Sequence, residues 1–267
     1  GALSMSSLRG SSLLVVKFGG TSLATPERVR RAAARLAALR ARGRALVVVV
    51  SAAAGTTDRI LDWLSELSDG PTDREADRAL ATGEALSGAF LASALNSRGI
   101  PARSLSGAEA GLRARGPFGA GELCRLDPSA IRLTLEAGVL PVVAGFQAAL
   151  ADSGETVTLG RGASDLTAVF LAAHLSAAEC HIVTDVDGVY SDDPRRQPAA
   201  ERYSSLSHEN LCEVVHRGAR VVHTTAAELA RDHRVPLRIY HHHAPADRPG
   251  GTTVGHAGFD LDLPVSA

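Results

Sequence analysis

The chain carries 28 basic residues, and only Lys17 among them is a lysine. It stands in Leu13-Leu-Val-Val-Lys17-Phe-Gly-Gly-Thr-Ser22. Arginine is a planar fork and lysine a compact point charge on a flexible stem. A sequence that uses arginine everywhere else keeps a lysine where a guanidinium does not serve. Here the point charge ends an apolar run and precedes two glycines, Gly19 and Gly20, and two hydroxyls, Thr21 and Ser22. Close backbone approach, unpaired N–H groups and a neighbouring cation together make a cradle for phosphate.

Four other segments have chemistry-bearing residues. They are Ser51-Ala-Ala-Ala-Gly55-Thr-Thr57, Gly145-Phe146-Gln147, Gly160-Arg161-Gly162-Ala163-Ser164-Asp165, and Thr184-Asp185-Val-Asp187-Gly188-Val-Tyr190 running on to Pro194-Arg195. Each follows the end of a predicted strand. In an open parallel sheet the carboxyl ends of strands are where ligands bind. Taken singly, each reads as an ordinary turn; together they describe one crevice of N–H donors, hydroxyls, one lysine and selected carboxylates. The lysine precedes the glycines, so this is not the Walker pattern, and no Gly-Xaa-Gly-Xaa-Xaa-Gly follows the first strand.

Other reactive residue types read more plainly. Glu84, on an alanine-rich helix, reads in isolation as a solvated helix residue. Ser164 or Asp165 reads as a helix N-cap. Asp187, Asp192 and Asp193 read as a solvated acidic turn. His241-His242-His243 would alternate faces on a strand and so would not converge on one ion; a strand-end loop is the expectation. Cys180 and Cys212 read as core.

The elements that must position the crevice follow from periodicity. Strands are expected at Leu13–Val16, Ala45–Val50, Ala102–Leu105, Leu140–Ala144, Thr156–Leu159, Cys180–Thr184 and Pro236–Tyr240. Helices are expected from Pro26 through Leu39, at Thr57–Leu67, Asp73–Leu95, Asp127-Pro128 to Ala137, from Ser164 or Asp165 to about Leu175, and at Ser207–His216 and Thr225–Asp232. Strands alternating with helices, and no evident hairpin turn, predict an α/β fold: a three-layer αβα sandwich with a mostly parallel central sheet.

At 267 residues the chain is long enough for one large domain or two joined lobes. A formal net charge of -1 provides no bulk basic field for nucleic acid. The apolar runs are too short to cross a bilayer. Three widely separated cysteines suit a reducing, cytoplasmic compartment. Residues 1–12, whose opening Gly1-Ala-Leu-Ser4 reads as an expression scar, and 256–267 are expected to be loosely ordered.

The same segments, with Gly83-Glu84 and Gly218-Ala-Arg-Val-Val-His223, occur in the order seen in aspartate kinases. Between about residues 13 and 255 the chain resembles their catalytic domain, within the amino acid kinase superfamily. The resemblance implies ATP-dependent phosphorylation of the β-carboxylate of aspartate, with Mg²⁺ on the nucleotide and a homodimer as the assembly. It implies that Lys17, Gly19 and Gly20 hold the transferring phosphoryl group, with Lys17 and Asp165 catalytic. Thr21, Ser51, Thr57, Glu84, Phe146, Arg161 and Asp165 would line the substrate site. Glu84 and Asp165 would receive its ammonium and Arg161 its carboxylate. Thr184, Asp185, Tyr190, Arg195 and Arg220 would contact the nucleotide. No metal ligand is assigned. A substrate lobe to about residue 150 and a nucleotide lobe after it are expected. The chain ends where family members continue into ACT domains, so feedback inhibition through such domains is not expected.

Three segments depart from the family pattern. Arg220 replaces a second phosphate-binding lysine, His223-Thr224-Thr225 replaces a His-Pro-Arg-like run, and Phe118–Leu123 replaces a His-Gly-Xaa-Ala-Arg-Ile run. These leave two alternatives beside aspartate kinase. One is a kinase for an aspartate-like or other small carboxylate in a specialised pathway. The other is a catalytically weak nucleotide-binding sensor.

Overall fold

The structure, a computed structural model, describes residues 13–68, 73–160, 162–192 and 197–256. The expectations for both termini, and for Arg161, Asp193 and Arg195, lie outside the described residues. In chain order the elements are β1 (Leu13–Phe18), a 3-10 turn (Gly20–Leu23), α1 (Pro26–Ala41), β2 (Ala45–Val50), α2 (Thr56–Leu67), α3 (Arg74–Asn96) and β3 (Ala102–Leu105). Then come β4 (Leu112–Arg115), β5 (Glu122–Leu126), α4 (Ser129–Glu136), β6 (Leu140–Ala144), β7 (Gln147–Leu150) and β8 (Thr156–Thr158). The remainder comprises α5 (Ala163–His174), β9 (Glu179–Thr184), β10 (Ser205–Leu206), α6 (His208–His216), α7 (Thr224–Asp232), β11 (Leu237–His241) and β12 (Thr252–Val254).

An eight-stranded sheet runs β10-β12-β11-β9-β1-β2-β6-β3. Every pair in it is parallel except β11 with β12. Its central strands are apolar on both faces because helices cover both. Val15, Val47 and Val49 point into one core with Val169 and Leu171 of α5, Leu211 of α6 and Ala226 of α7. Val16, Val48 and Val50 point into the other with Val29 and Leu36 of α1 and Leu91 and Leu95 of α3. The three-layer expectation therefore holds.

The absence of hairpins does not. A second sheet, β5-β4-β7-β8, is antiparallel at β4/β5 and β7/β8. Its strands are too short to show a period. β5 is half-exposed along its length, and the sheet is completed by the parallel pairing of β4 with β7, far along the chain. The β7–β8 hairpin also spans the expected lobe boundary near residue 150. The two halves of the chain meet along β1 and β9 in one continuous sheet.

Candidate active site

Strand β1 leads onward to β2 on one side, while β9, from much later in the chain, pairs on its other side. That reversal of strand order opens a crevice at the carboxyl ends of β1 and β9. The segments after both strands meet there: Gly19 N donates to Val183 O at 3.0 Å. The loop after β2 joins them, Ser51 N donating to Phe18 O at 3.1 Å and Ala54 N to Gly20 O at 3.1 Å. This packing explains Gly20, since a Cβ there would lie 2.6 Å from Ala52 O.

Lys17 shares the parity of Val15 on β1 and so points to the α5 face. It is 8% exposed, and its Nζ lies 2.7 Å from Asp165 Oδ1. Asp165 reaches it from the first turn of α5, where the helix dipole favours an anion. The expected capping role is corrected: α5 is opened by Gly162 at φ 77°, a left-handed conformation that suits glycine, with no side-chain cap. The Asp165 carboxylate is thus free to pair with Lys17, while its Oδ2 accepts from His223 N at 3.0 Å.

Glu84 is 3% exposed on α3, so its reading in isolation as a solvated residue is also corrected. Its Oε1 accepts from Ala52 N at 3.1 Å, which ties it to the loop after β2. Its Oε2 is buried without a partner among the described residues. Burial pushes this carboxyl up to about 7, with the Ala52 bond working the other way. Phe146, between β6 and β7, is buried at φ 67°. Its N donates to Thr167 Oγ1 at 3.2 Å, and its O accepts from Leu159 N at 2.9 Å. A bulky residue held in this region stores strain of a kind that clusters at ligand sites.

On the other side of the crevice, Thr184 Oγ1 donates to Asp185 Oδ1 at 3.3 Å. Tyr190 OH donates to Asp187 Oδ1 at 2.8 Å, and Asp187 Oδ2 lies 3.1 Å from Arg202. Asp187 therefore braces its own turn. Arg220 is exposed between α6 and α7. Thr21 O accepts from Arg28 at 2.6 Å, and Thr57 is half-buried in the first turn of α2.

Three features were not foreseen. They are the Ala52 N–Glu84 bond, the His223 N–Asp165 bond, and a Ser22 hydroxyl buried without a partner among the described residues. Two are main-chain donors, on which residue type carries no signal. The strand-end loop expected at the histidines holds, while the expectation that they would not converge is corrected. Only His241 is on β11; His242 and His243 lie in the following turn, and donor atoms of all three come within 4.8 Å of one another.

The site thus has a buried cation beside glycine backbone, a carboxylate that positions it, and a second buried carboxyl with an open oxygen. This donor set fits a nucleotide polyphosphate. Asp165, the acid beside Lys17, is already engaged, so Mg²⁺ would be held chiefly by phosphate oxygens and water. No helix among the described residues is long and apolar enough to cross a membrane.

Comparison with known proteins agrees with this architecture. The sequence pattern of the amino acid kinase family matches residues 12–241. An aspartokinase of Mycobacterium bovis is 41% identical over 244 residues, covering 91% of this chain and 58% of the relative. The chain thus spans just over half the length of the curated relatives it matches. The aspartate kinase structure from Synechocystis superposes with a TM-score of 0.78 at 39% identity, covering 91% of this chain and 40% of that one. E. coli aspartokinase III in complex with aspartate and ADP superposes at 0.76 with 26% identity, covering 91% and 64%. With the matching pattern running from β1 through β11 and the crevice at its centre, the chain belongs to the amino acid kinase family.

Proposed function

We propose that this chain transfers the γ-phosphoryl group of ATP to the β-carboxylate of aspartate. The observation that carries the reading is the Lys17–Asp165 pair, buried where β1 and β9 part. A carboxylate acceptor is ionised at neutral pH, so no general base is needed. A carboxylate oxygen forms the new bond to phosphorus, the bond to the bridging oxygen breaks, and ADP leaves with the electron pair. The difficulty is bringing one anion to another, and positioned cations and N–H groups meet it. Lys17 and the backbone of Gly19 and Gly20 neutralise the migrating group. Asp165 holds Lys17 in place. Mg²⁺ on the phosphates supplies further charge neutralisation.

In this reading Glu84 takes the acceptor's ammonium, its unpartnered oxygen being the support. Arg161 takes the acceptor's α-carboxylate. Thr21, Ser51, Thr57 and Phe146 line the acceptor site, largely in the half of the chain before about residue 150. Thr184, Asp185, Tyr190, Arg195 and Arg220 meet the nucleotide in the later half. The three free cysteines suit a cytoplasmic enzyme. A homodimer accords with exposed Trp63 and Leu67 on α2 and Leu86 and Phe90 on α3.

A hydroxylamine trap for acyl phosphate, run with ATP, Mg²⁺ and a panel of amino acids and small carboxylates, tests the reading. Aspartate is expected to give the largest kcat/KM. ATP binding without turnover of any acceptor sinks it.

A further inference from the structure

Strand β11 ends at His241, in register with Thr184 of β9, and the chain then turns through His242 and His243. The turn removes the alternation that would send neighbouring side chains to opposite faces. The three imidazole rings pack against one another, with centroids 4.3 Å apart for His241–His242, 4.4 Å for His242–His243 and 5.1 Å for His241–His243. Among the described residues this is the only cluster of three or more His, Cys, Asp or Glu side chains whose donor atoms gather closely enough for one ion.

The hydrogen bonds around the cluster set its tautomers. His242 Nδ1 lies 3.0 Å from Thr184 O, and His242 N donates to the same carbonyl at 2.8 Å. A carbonyl only accepts, so Nδ1 carries the proton and Nε2 presents its lone pair. A main-chain carbonyl orienting one ring nitrogen is the usual support for a metal-binding histidine. His243 is exposed and free to swing. His241 Nδ1 accepts from His243 N at 3.0 Å, so His241 must release that bond, or turn its ring, to join. His242 is therefore the anchor. Tetrahedral ligands sit ~3.4 Å apart, so the donors, now within 4.8 Å of one another, need a modest closure. Rotation of side chains at a turn supplies it.

The surroundings select the ion. Arg28 and Arg31 flank the cluster, one bonded to Thr21 O at 2.6 Å and the other paired with Glu27 at 2.8 Å. Residual positive charge disfavours hard cations, which gain little from imidazole. It is outweighed for a borderline ion that bonds nitrogen strongly.

We propose that His241, His242 and His243 form a binding site for a transition-metal dication of the zinc class. It is distinct from Mg²⁺ carried on the nucleotide and has a fourth position open to water or an anion. Through the Thr184 carbonyl the ion is mechanically joined to the segment that follows β9. The site stands whether or not the kinase reading holds.

Calorimetric titration of the whole chain with Zn²⁺, without nucleotide and with excess Mg²⁺ present, tests this. One equivalent is expected to bind with micromolar affinity. His242→Ala and His243→Ala should each weaken it by about tenfold or more. The exposed His243 serves as the variant least able to disturb folding, with an unchanged melting temperature as its control. His216→Ala, at a surface histidine paired with Glu228, should leave binding unaltered. Equal stoichiometry and affinity in the wild type and both cluster variants overturns the site, as does a wild type that takes up no Zn²⁺ below the millimolar range.

Discussion

Lys17 Nζ and Asp165 Oδ1 lie 2.7 Å apart, each side chain 11% exposed. Neither charge is stable alone at that depth, because burying an unpaired ion costs several kcal/mol. Each is therefore held by the other in the position where a phosphoryl group would arrive.

Removing the cation should abolish catalysis. Lys17→Ala is expected to lower turnover by at least about a hundredfold, with some loss of stability from the stranded Asp165. Asp165→Asn should also lower turnover. The double variant should be far from the sum of the two, because the side chains act as one unit. Acyl phosphate assays combined with circular dichroism check this; near wild-type turnover in folded Lys17→Ala contradicts it.

Glu84 links acidity to both stability and binding. Its carboxyl titrates near 7 in the fold against 4.5 ordinarily, so between those values the folded chain holds the extra proton. Stability therefore falls as pH rises through that window and levels off above it. The loss is on the order of 3 kcal/mol. Glu84→Gln should abolish this slope and exceed the wild type in stability at pH 8, as urea denaturation at two pH values would show. If Glu84 takes the acceptor's ammonium, the KM for aspartate should also fall as pH rises through 7.

Glu179 behaves in the opposite sense. Burial alone would raise its carboxyl, but bonds from His181 at 2.7 Å and Arg238 at 3.0 Å prevail and hold it well below the usual carboxylate range. His256 also bonds to it, and His181 continues to Tyr240 OH at 3.0 Å. The depressed value contributes stability above about pH 4.5 that is lost as pH falls below it. Glu179→Gln is expected to cost about 2–4 kcal/mol at pH 7 and to flatten the acid limb of a melting-temperature profile. An unchanged profile counts against the network.

Gly20→Ala tests the backbone contact between the loops after β1 and β2. The added methyl meets Ala52 O at 2.6 Å, and neither main chain has a flexible end that yields. A cost of about 1–3 kcal/mol is expected, with a larger proportional loss in nucleotide affinity than in melting temperature. Unaltered nucleotide binding by calorimetry would remove this loop from the site.

The sequence by itself determined the frame. Consecutive valines in β1, β2 and β6 and the apolar Ile182-Val183 of β9, between amphipathic helices, admit little but a parallel sheet covered on both faces. The single lysine marked the strand end that matters. These signals are local, because burial of a face writes a period into the chain. Tertiary structure decided what local patterns do not encode. It paired β4, β5, β7 and β8, strands too short to show a period. It made Gly162 the cap and released Asp165 to Lys17. It buried Glu84, whose polar type alone argues for solvent. And within the expected strand-end loop it brought His241–His243 together, which the sequence pattern did not foresee. Where β4 meets β7, Asp165 meets Lys17, Glu84 meets Ala52 N and His242 meets Thr184, the deciding contact is with residues far along the chain, and only packing specifies which of those neighbours arrive.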